Sequence, residues 1–214
     1  MTTSDTATRV LTVVSAGLRV PSSTRLLADQ LAERAAEALA GPVEVRFVEI
    51  REHAHGIADA LLSGFATGAL RTALDDVQNA DALIMVTPTF QASYSGLFKA
   101  FVDLIEPDTL RGVPVLLAAT GGSERHSLVL EHAMRPLFAH LGTLSVPTAV
   151  YAATSDFGSG AGALGARIER AAGELATLLD GRTDSLTDGA RRGPADEFAD
   201  VVPFAQLLGQ NQAG

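Results

Sequence analysis

Short apolar runs alternate with amphipathic stretches along most of the chain. The apolar runs are VLTVV at 10–14, VEVRFVEI at 43–50, ALIMV at 82–86, VPVLLAAT at 113–120 and VPTAVYAA at 146–153. Several of them are apolar on both faces, as the strands of a buried parallel sheet are. The pattern therefore predicts five β-strands.

Stretches with helical periodicity follow these strands. We predict helices over residues 23–39, 67–77, 93–105, 128–141 and 164–179. Alternating strands and helices favour a doubly wound α/β domain with right-handed crossovers. We expect a five-stranded parallel sheet of order 2-1-3-4-5, with helices on both faces.

The composition changes after Asp180. The segment GRTDSLTDGARRGPADEF is charged and contains glycine and proline, and the apolar patch VVPFAQLL follows it. We predict a folded domain over residues 1–180 and a charged linker with an apolar tail over 181–214. We expect the tail to pack on the domain's own core or on a neighbouring subunit.

Composition narrows the classes of function. The 214 residues are 47% apolar, which is enough for one domain with a sizeable core. The net charge of −9, without a basic stripe, argues against a nucleic-acid partner. Cysteine is absent, so thiol catalysis and disulfides are excluded. We find neither an apolar signal core nor a run that could span a membrane, and we expect a cytoplasmic protein.

The polar segment SAGLRVPSSTR joins the first predicted strand to the first helix. A helix amino terminus attracts anions through its free N–H groups and its dipole. Ser22, Ser23 and Thr24 offer hydroxyl and N–H donors, and Arg19 or Arg25 can add a charged contact to a phosphate. The alternative is that Ser22 or Ser23 only caps the helix.

Two rival phosphate motifs have less support. The chain contains no GxxxxGK[ST] segment. GxGxxG occurs at residues 160–165, but no further strand follows to complete a dinucleotide-binding unit. We interpret that segment as a flexible loop.

The segment TPTFQASYSGLFKAFVD leaves the third strand and enters the third helix. We expect Pro88 to end the strand and residues 89–93 to supply exposed polar groups. Ser93, Ser95 and Gly96 would let a planar ligand lie close to the backbone.

A third polar loop, AATGGSERHS, follows the fourth strand. Gly121 and Gly122 permit positive φ and expose bare N–H groups. In a flavodoxin-like sheet the ligand lies outside the carboxyl ends of the strands, at the switch between strands 1 and 3. A phosphate site with two hydrogen-bonding walls suits a mononucleotide with a flat ring, such as FMN. Three unrelated turns are the alternative.

The remaining polar candidates indicate little chemistry of their own. His53 and His55 lie in a charged stretch that we interpret as a solvated loop, because no third metal ligand is evident. His126, beside Arg125, is either a contact for a pyridine nucleotide or an exposed residue at a helix start. GxSxG, HExxH and paired-carboxylate motifs are absent. We predict neither a catalytic side chain nor a metal site.

Three segments resemble the NADPH-dependent FMN reductase family, particularly the reductases paired with luciferase-like flavin monooxygenases. They are SAGLRVPSSTRLLADQLA, TPTFQASYSGLFKAFVDLI and ATGGSERHSLVLEHAMRPLFAHLG. The resemblance covers residues 9–180 and implies a flavodoxin-like fold, FMN with NADPH or NADH, and a homodimer or homotetramer.

The resemblance also implies roles for individual residues. In the family the first loop contacts the FMN phosphate, which implies Arg19, Ser22 and Thr24. Gly17 stands where the family has serine, so Ser15 or Ser23 would replace that hydroxyl. Pro88, Thr89 and Phe90 would contact the flavin ring, and Gly121 and Gly122 would lie beside it. The full predicted set is Ser15, Gly17, Arg19, Ser22, Ser23, Thr24, Pro88, Thr89, Phe90, Gln91, Ser93, Tyr94, Ser95, Gly96, Thr120, Gly121, Gly122 and Ser123.

In such a reductase, hydride passes from the nicotinamide C4 to the flavin N5, and the protein orients the two partners. We predict an NAD(P)H-dependent FMN reductase that supplies reduced flavin to a partner monooxygenase. The alternatives are an FMN-retaining quinone or azo reductase and a non-enzymatic FMN electron carrier. Aromatic residues make up 5% of the chain and tryptophan is absent, which favours an exchangeable flavin.

Overall fold

The computed structural model describes residues 8–158 and 161–185. Its strands are β1 (Arg9–Ser15), β2 (Val43–Glu49), β3 (Ala82–Phe90), β4 (Ser93–Tyr94), β5 (Pro114–Gly121), β6 (Leu144–Ser145) and β7 (Val150–Ala153). Its α-helices are α1 (Ser23–Ala38), α2 (Ala54–Ser63), α3 (Gly68–Gln78), α4 (Gly96–Val102), α5 (Arg135–His140) and α6 (Ala161–Ser185). Short 3-10 helices cover Ile50–His53, Glu124–His126 and Thr154–Phe157, and a π-helix covers Leu130–Met134.

The sheet is predominantly parallel and has the order β2-β1-β3-β5-β6. β7 also pairs with β5, and β4 pairs antiparallel with β3. The predicted α/β class with a parallel sheet is confirmed. The predicted five-stranded order 2-1-3-4-5 needs correction, because the sheet of the described residues has seven strands.

The fifth predicted strand is divided into β6 and β7. Between them, the backbone N–H of Thr148 donates to Glu174 of α6 at 2.7 Å instead of to the sheet. The Thr148 hydroxyl donates to the same carboxylate at 2.7 Å. The chain leaves the sheet here because its polar groups are bound by a helix, and β7 then returns beside β5.

β3 is longer than predicted. Pro88 does not end the strand; it lies opposite Thr120 of β5, and the strand continues to Phe90. Proline lacks a backbone N–H donor, but its carbonyl can still accept a hydrogen bond, so the strand can continue past it. The end of β3 also pairs with β4, where Phe90 lies opposite Ser93.

α2 was not predicted. The stretch with His53 and His55, interpreted as a loop, instead forms the end of a 3-10 helix and the first turn of α2. Only two α2 residues, Ile57 and Ala60, are buried. The apolar face is therefore short, which explains why the sequence pattern is weak here.

α6 begins earlier and ends later than predicted. Gly162 and Gly165 lie inside this helix, so the interpretation of their segment as a flexible loop was wrong for them. Gly160 lies outside the described residues. The helix continues to Ser185, beyond the predicted domain end at residue 180. The rest of the predicted tail lies outside the described residues.

Successive side chains of the strands face two separate hydrophobic layers. Val13 packs in the layer that contains α1 and α6, and its neighbour Val14 packs in the layer with α2, α3, α4 and α5. Phe98 and Phe138 are fully buried in the second layer, with ring centroids 6.2 Å apart. Helices therefore cover both faces of the sheet, and the strand ends remain free to form a site.

Within the described residues, no helix combines the length and the apolar character needed to cross a bilayer.

Candidate functional site

A cleft of about 460 Å³ lies at the carboxyl ends of β1, β3 and β5. Its volume is within the usual range for small-molecule sites. The position is the switch point predicted for this class of fold, between β1 and β3. The cleft is lined by Leu18, Arg19, Pro21, Ser22, Ser23, Thr24, Pro88, Thr89, Phe90, Thr120, Gly121, Gly122 and Thr154.

The start of α1 forms one end of the cleft. Ser22 is the N-cap residue, and its Oγ accepts a hydrogen bond from the Arg25 N–H at 3.2 Å. The first bond of the helical ladder runs from the Leu26 N–H to the Ser22 carbonyl at 3.0 Å. The N–H groups of Ser23 and Thr24 precede that bond, so they are available to an anion. Ser22 therefore caps the helix, and its cap leaves an anion site beside it.

The structure distinguishes the two arginines of this loop. Arg25 donates to Asp29 at 2.7 Å and to Glu49 at 2.8 Å, and its guanidinium lies 4.2 Å from the centre of the Phe47 ring. Arg25 is thus bound to carboxylates, and the prediction that it could contact phosphate is not favoured. Arg19 is exposed and has no ion pair within the described residues.

Gly17 lies behind this loop, with no room for a side chain. A Cβ atom at position 17 would lie 2.1 Å from Ser22 Oγ and 3.1 Å from Ser22 Cβ. The Ser22 hydroxyl thus occupies the space that a side chain at position 17 would need. Ser15 Oγ is fully buried at the end of β1 and has no hydrogen-bond partner within the described residues. The predicted replacement of the family serine by Ser15 or Ser23 stays a prediction.

A buried pair of hydroxyls joins α1 to β5 under the cleft. Thr24 Oγ1 and Thr120 Oγ1 are 2.8 Å apart, and the two residues are 2% and 3% exposed. A buried hydrogen bond between short side chains holds its elements at a fixed separation. This pair therefore fixes the start of α1 against the end of β5.

Two glycines, Gly121 and Gly122, line the other end of the cleft. Gly121 and Gly122 do not adopt the positive φ that glycine permits. Glycine at position 121 lets the backbone of β5 lie close to the Tyr151 side chain, because a Cβ there would lie 2.0 Å from the Tyr151 hydroxyl oxygen. That hydroxyl donates to the Ser123 carbonyl at 2.8 Å, and burial raises the pKa of the Tyr151 phenol. The phenol therefore stays a protonated donor at neutral pH.

Phe90 forms the aromatic part of this end. It is 47% exposed, and it is the only aromatic residue among the described residues that line the cleft. A second ring that could enclose a planar ligand from the opposite side is not among those lining residues.

Several predicted residues lie outside the cleft lining. Ser95 caps α4, since its Oγ accepts from the Phe98 N–H at 3.1 Å, and its own N–H donates to Thr87 Oγ1 at 3.1 Å. The ring of Tyr94 lies 5.9 Å from that of Phe98. The predicted residues outside the lining are Ser15, Gly17, Gln91, Ser93, Tyr94, Ser95, Gly96 and Ser123.

Sequence reasoning missed three lining residues. Leu18 and Pro21 are apolar members of a loop that we searched for polar groups. Thr154 follows β7, so its position at the carboxyl end of a strand could have identified it.

A second cavity of about 340 Å³ lies next to the cleft. It is lined by Ala92, Ser93, Arg125, His126, Leu128, Val129, His132 and Ala133. No group of three or more histidine, aspartate or glutamate side chains that could hold a metal ion occurs in residues 8–158 and 161–185.

The fold and the cleft define a class of protein. A doubly wound parallel sheet places a helix start with free N–H groups and a wall of small residues at its switch point, where flavodoxin-like proteins bind a flavin mononucleotide. A phosphate fits the donors of the first loop, and a planar ring fits the wall beside Phe90. The residues present thus fit FMN.

Comparison with known proteins identifies the family. Residues 8–158 match the family model described as NADPH-dependent FMN reductase, so the chain belongs to that family. An FMN reductase (NADPH) from Pseudomonas aeruginosa is 39% identical over 176 residues, which cover 81% of this chain and 94% of the relative. The NADH-dependent FMN reductase SfnE from Pseudomonas putida is 39% identical over 180 residues, which cover 83% and 95%.

A solved structure supports the same family assignment. The crystal structure of an oxidoreductase from Corynebacterium diphtheriae has a TM-score of 0.78 at 43% identity and covers 81% of this chain and 98% of that one. The chain is accordingly an oxidoreductase of the FMN reductase family, which uses FMN with NADPH or NADH.

Proposed function

We propose that this reductase binds FMN as an exchangeable substrate and supplies the reduced flavin to a partner flavin-dependent monooxygenase. The observation that favours exchange is that the described residues of the cleft lining include one aromatic side chain, the half-exposed Phe90. Stacking on both faces of a ring adds substantially to affinity. A ring in contact with one aromatic residue on an open wall is therefore released more easily than an enclosed one.

The phosphate of FMN would bind at the start of α1. Ser23 and Thr24 line this end of the cleft, and their N–H groups at the start of α1 support an anion site that Arg19 of the same loop would complete. Arg19 is the suitable cation because Arg25 is bound to Asp29 and Glu49.

The flavin ring would lie between the end of β3 and the glycines after β5. When bound, FMN accepts a hydride from the nicotinamide. The residues of this chain orient the ring: Pro88 and Phe90 offer an apolar surface, and Gly121 and Gly122 let it approach the backbone. No side-chain acid or base is needed for this role.

We also propose that the protein is a homodimer or homotetramer. Leu61, Leu62 and Phe65, around the end of α2, are 48%, 89% and 65% exposed. Large apolar side chains grouped on a surface favour contact with another protein surface. The folded domain over residues 1–180, followed by a charged linker and apolar tail over 181–214, remains part of this proposal, with the first residues of the linker in α6, which ends at Ser185.

The decisive experiment is NADPH and NADH oxidation by the purified protein, with and without added FMN. We expect protein that elutes with little flavin and oxidises the nucleotide only when FMN is added. Tightly retained flavin with turnover of quinones or azo dyes would favour the first alternative. Retained flavin without turnover of added FMN would favour an electron carrier.

A paired variant tests the phosphate site. Arg19→Ala with Ser22→Ala should weaken FMN binding by about 2–4 kcal/mol and riboflavin binding far less, because riboflavin has no phosphate. Arg34→Ala is a matched control, since Arg34 is exposed and pairs with Glu37 on α1. Equal losses for the two flavins would place the phosphate elsewhere.

Transfer to a monooxygenase can be tested separately. The reductase and a flavin-dependent monooxygenase are placed on opposite sides of a dialysis membrane that only small molecules cross. Product formation under these conditions supports supply of free reduced flavin. Product formation only in a shared compartment would instead indicate transfer within a complex.

A further inference from the structure

We propose that the second cavity binds the phosphate groups of the pyridine nucleotide, through Arg125 with His126 and His132. The proposal rests on the flavin position given above, because the nicotinamide must reach the ring. It assigns a ligand to a cavity that the flavin itself does not occupy.

The two cavities share two segments of chain. Phe90 lines the first cavity and Ala92 the second, two residues further along the same hairpin. Gly122 lines the first and Arg125 the second, three residues further along. A residue spans at most about 3.6 Å, so these walls are no more than about 11 Å apart. A dinucleotide with its nicotinamide beside the flavin can therefore extend into the second cavity.

The charge of the second cavity is opposite to that of the chain. The chain has a net charge of −9, but the described residues that line the cavity supply one guanidinium and two imidazoles and no carboxylate. Arg125, His126 and His132 are all exposed, so a ligand can reach them. Arginine is well suited to phosphate because its planar donors bind two oxygens at once.

The acidic neighbours do not neutralise Arg125. Arg135 binds Glu131 through two contacts, of 2.7 Å and 3.0 Å. Arg125 itself has no ion pair with any carboxylate in the described part of the chain. Its guanidinium is thus available for an anionic ligand.

The tight turn between β3 and β4 separates the two cavities. Gln91 and Ala92 have φ values of 49° and 63°, and Phe90 lies opposite Ser93 across the turn. A two-residue hairpin loop is short and fixes the spacing of its flanking residues. The flavin wall and the phosphate cavity are therefore held at a constant separation.

Binding of oxidised nucleotide tests the proposal without turnover. We would measure NADP⁺ and NAD⁺ affinity by titration calorimetry, in the presence of FMN, for the unaltered chain and for Arg125→Gln. We expect at least a tenfold loss of NADP⁺ affinity, about 1.4 kcal/mol. FMN affinity, measured separately, should not change. Arg125→Lys should recover part of the loss, and His126→Gln and His132→Gln should each give smaller losses.

The two nucleotides identify which phosphate is bound. A loss confined to NADP⁺ places the 2′-phosphate in the cavity, and an equal loss for NAD⁺ places the pyrophosphate there. In the kinetic assay, the KM for NADPH should rise while kcat changes by no more than about twofold, because the contact that is removed stabilises the bound substrate and the transition state equally.

Arg34→Gln makes the same change in net charge on α1, which packs in the other hydrophobic layer from Val129 of the second cavity, and it should leave all nucleotide affinities unchanged. Unchanged affinity of correctly folded Arg125→Gln for both nucleotides would overturn the proposal. The proposed function would fail in a different way, through absence of FMN reduction by the unaltered chain.

Discussion

The turn between β3 and β4 should become more stable when Ala92 is replaced by glycine. Ala92 has a φ of 63° and Gln91 a φ of 49°, as the central residues of a two-residue hairpin loop require. A residue with a Cβ loses about 1–2 kcal/mol in this left-handed region. Glycine avoids that cost but loses about 0.5–1 kcal/mol more chain entropy on folding. Ala92→Gly should therefore raise the free energy of unfolding by about 0.5–1 kcal/mol.

Thermal unfolding measures this effect. For a chain of this size, 1 kcal/mol corresponds to about 2–4 °C, so the Tm should rise by about 1–4 °C. The variants are compared without flavin and at one protein concentration, because ligands and subunit contacts also shift Tm. Ala58→Gly is the matched control: Ala58 is exposed within α2, where glycine should lower stability by about 1 kcal/mol. Equal decreases in the two variants would refute the reasoning.

Three other substitutions test the cleft. Gly17→Ala places a Cβ 2.1 Å from a hydroxyl of the phosphate loop, so FMN affinity should fall about tenfold in a fluorescence titration; an equal loss for riboflavin would contradict this. Thr24→Val leaves the buried Thr120 hydroxyl unpaired and should lower stability by about 1–3 kcal/mol in urea unfolding. Adding Thr120→Val to Thr24→Val should lower stability by less than Thr120→Val alone does, whereas additive losses of stability would show that the pair is not coupled. Gly121→Ala should clash with the Tyr151 hydroxyl and lower Tm by several degrees. Adding Tyr151→Phe to Gly121→Ala should recover part of that loss, and a double variant with no recovery would exclude this contact as the cause.

The strands were predicted well wherever burial alone determines them. β1 and β5 differ from their predicted ranges by one residue at either end, because their residues are apolar on both faces and buried between helices. β6 and β7 were predicted as one strand, since the contact that separates them, between Thr148 and Glu174, joins residues 26 positions apart. A local pattern does not contain such a contact.

The position of the cleft was also predicted from the sequence, but the roles of individual residues that depend on contacts between distant parts of the chain were not. Hydroxyls and glycines at successive strand ends identified the cleft, since this fold brings those ends together. The two arginines of the first loop could not be ranked from the sequence. Arg25 is removed from the cleft by Phe47 and Glu49 of β2, more than 20 residues away along the chain. Only the folded structure shows that Arg25 is paired with carboxylates and that Arg19 has no ion pair within the described residues.

The two interpretations of the first loop, a helix cap and a phosphate site, are compatible in this structure. Ser22 satisfies one of the free N–H groups of α1, that of Arg25, from within the protein. The N–H groups of Ser23 and Thr24 stay available, and the Thr24 hydroxyl is bound to Thr120. The loop thus has its shape before any phosphate arrives, so binding needs little ordering of the chain. A site that is formed in advance can take up and release a nucleotide without refolding, which would suit the exchange of FMN proposed above.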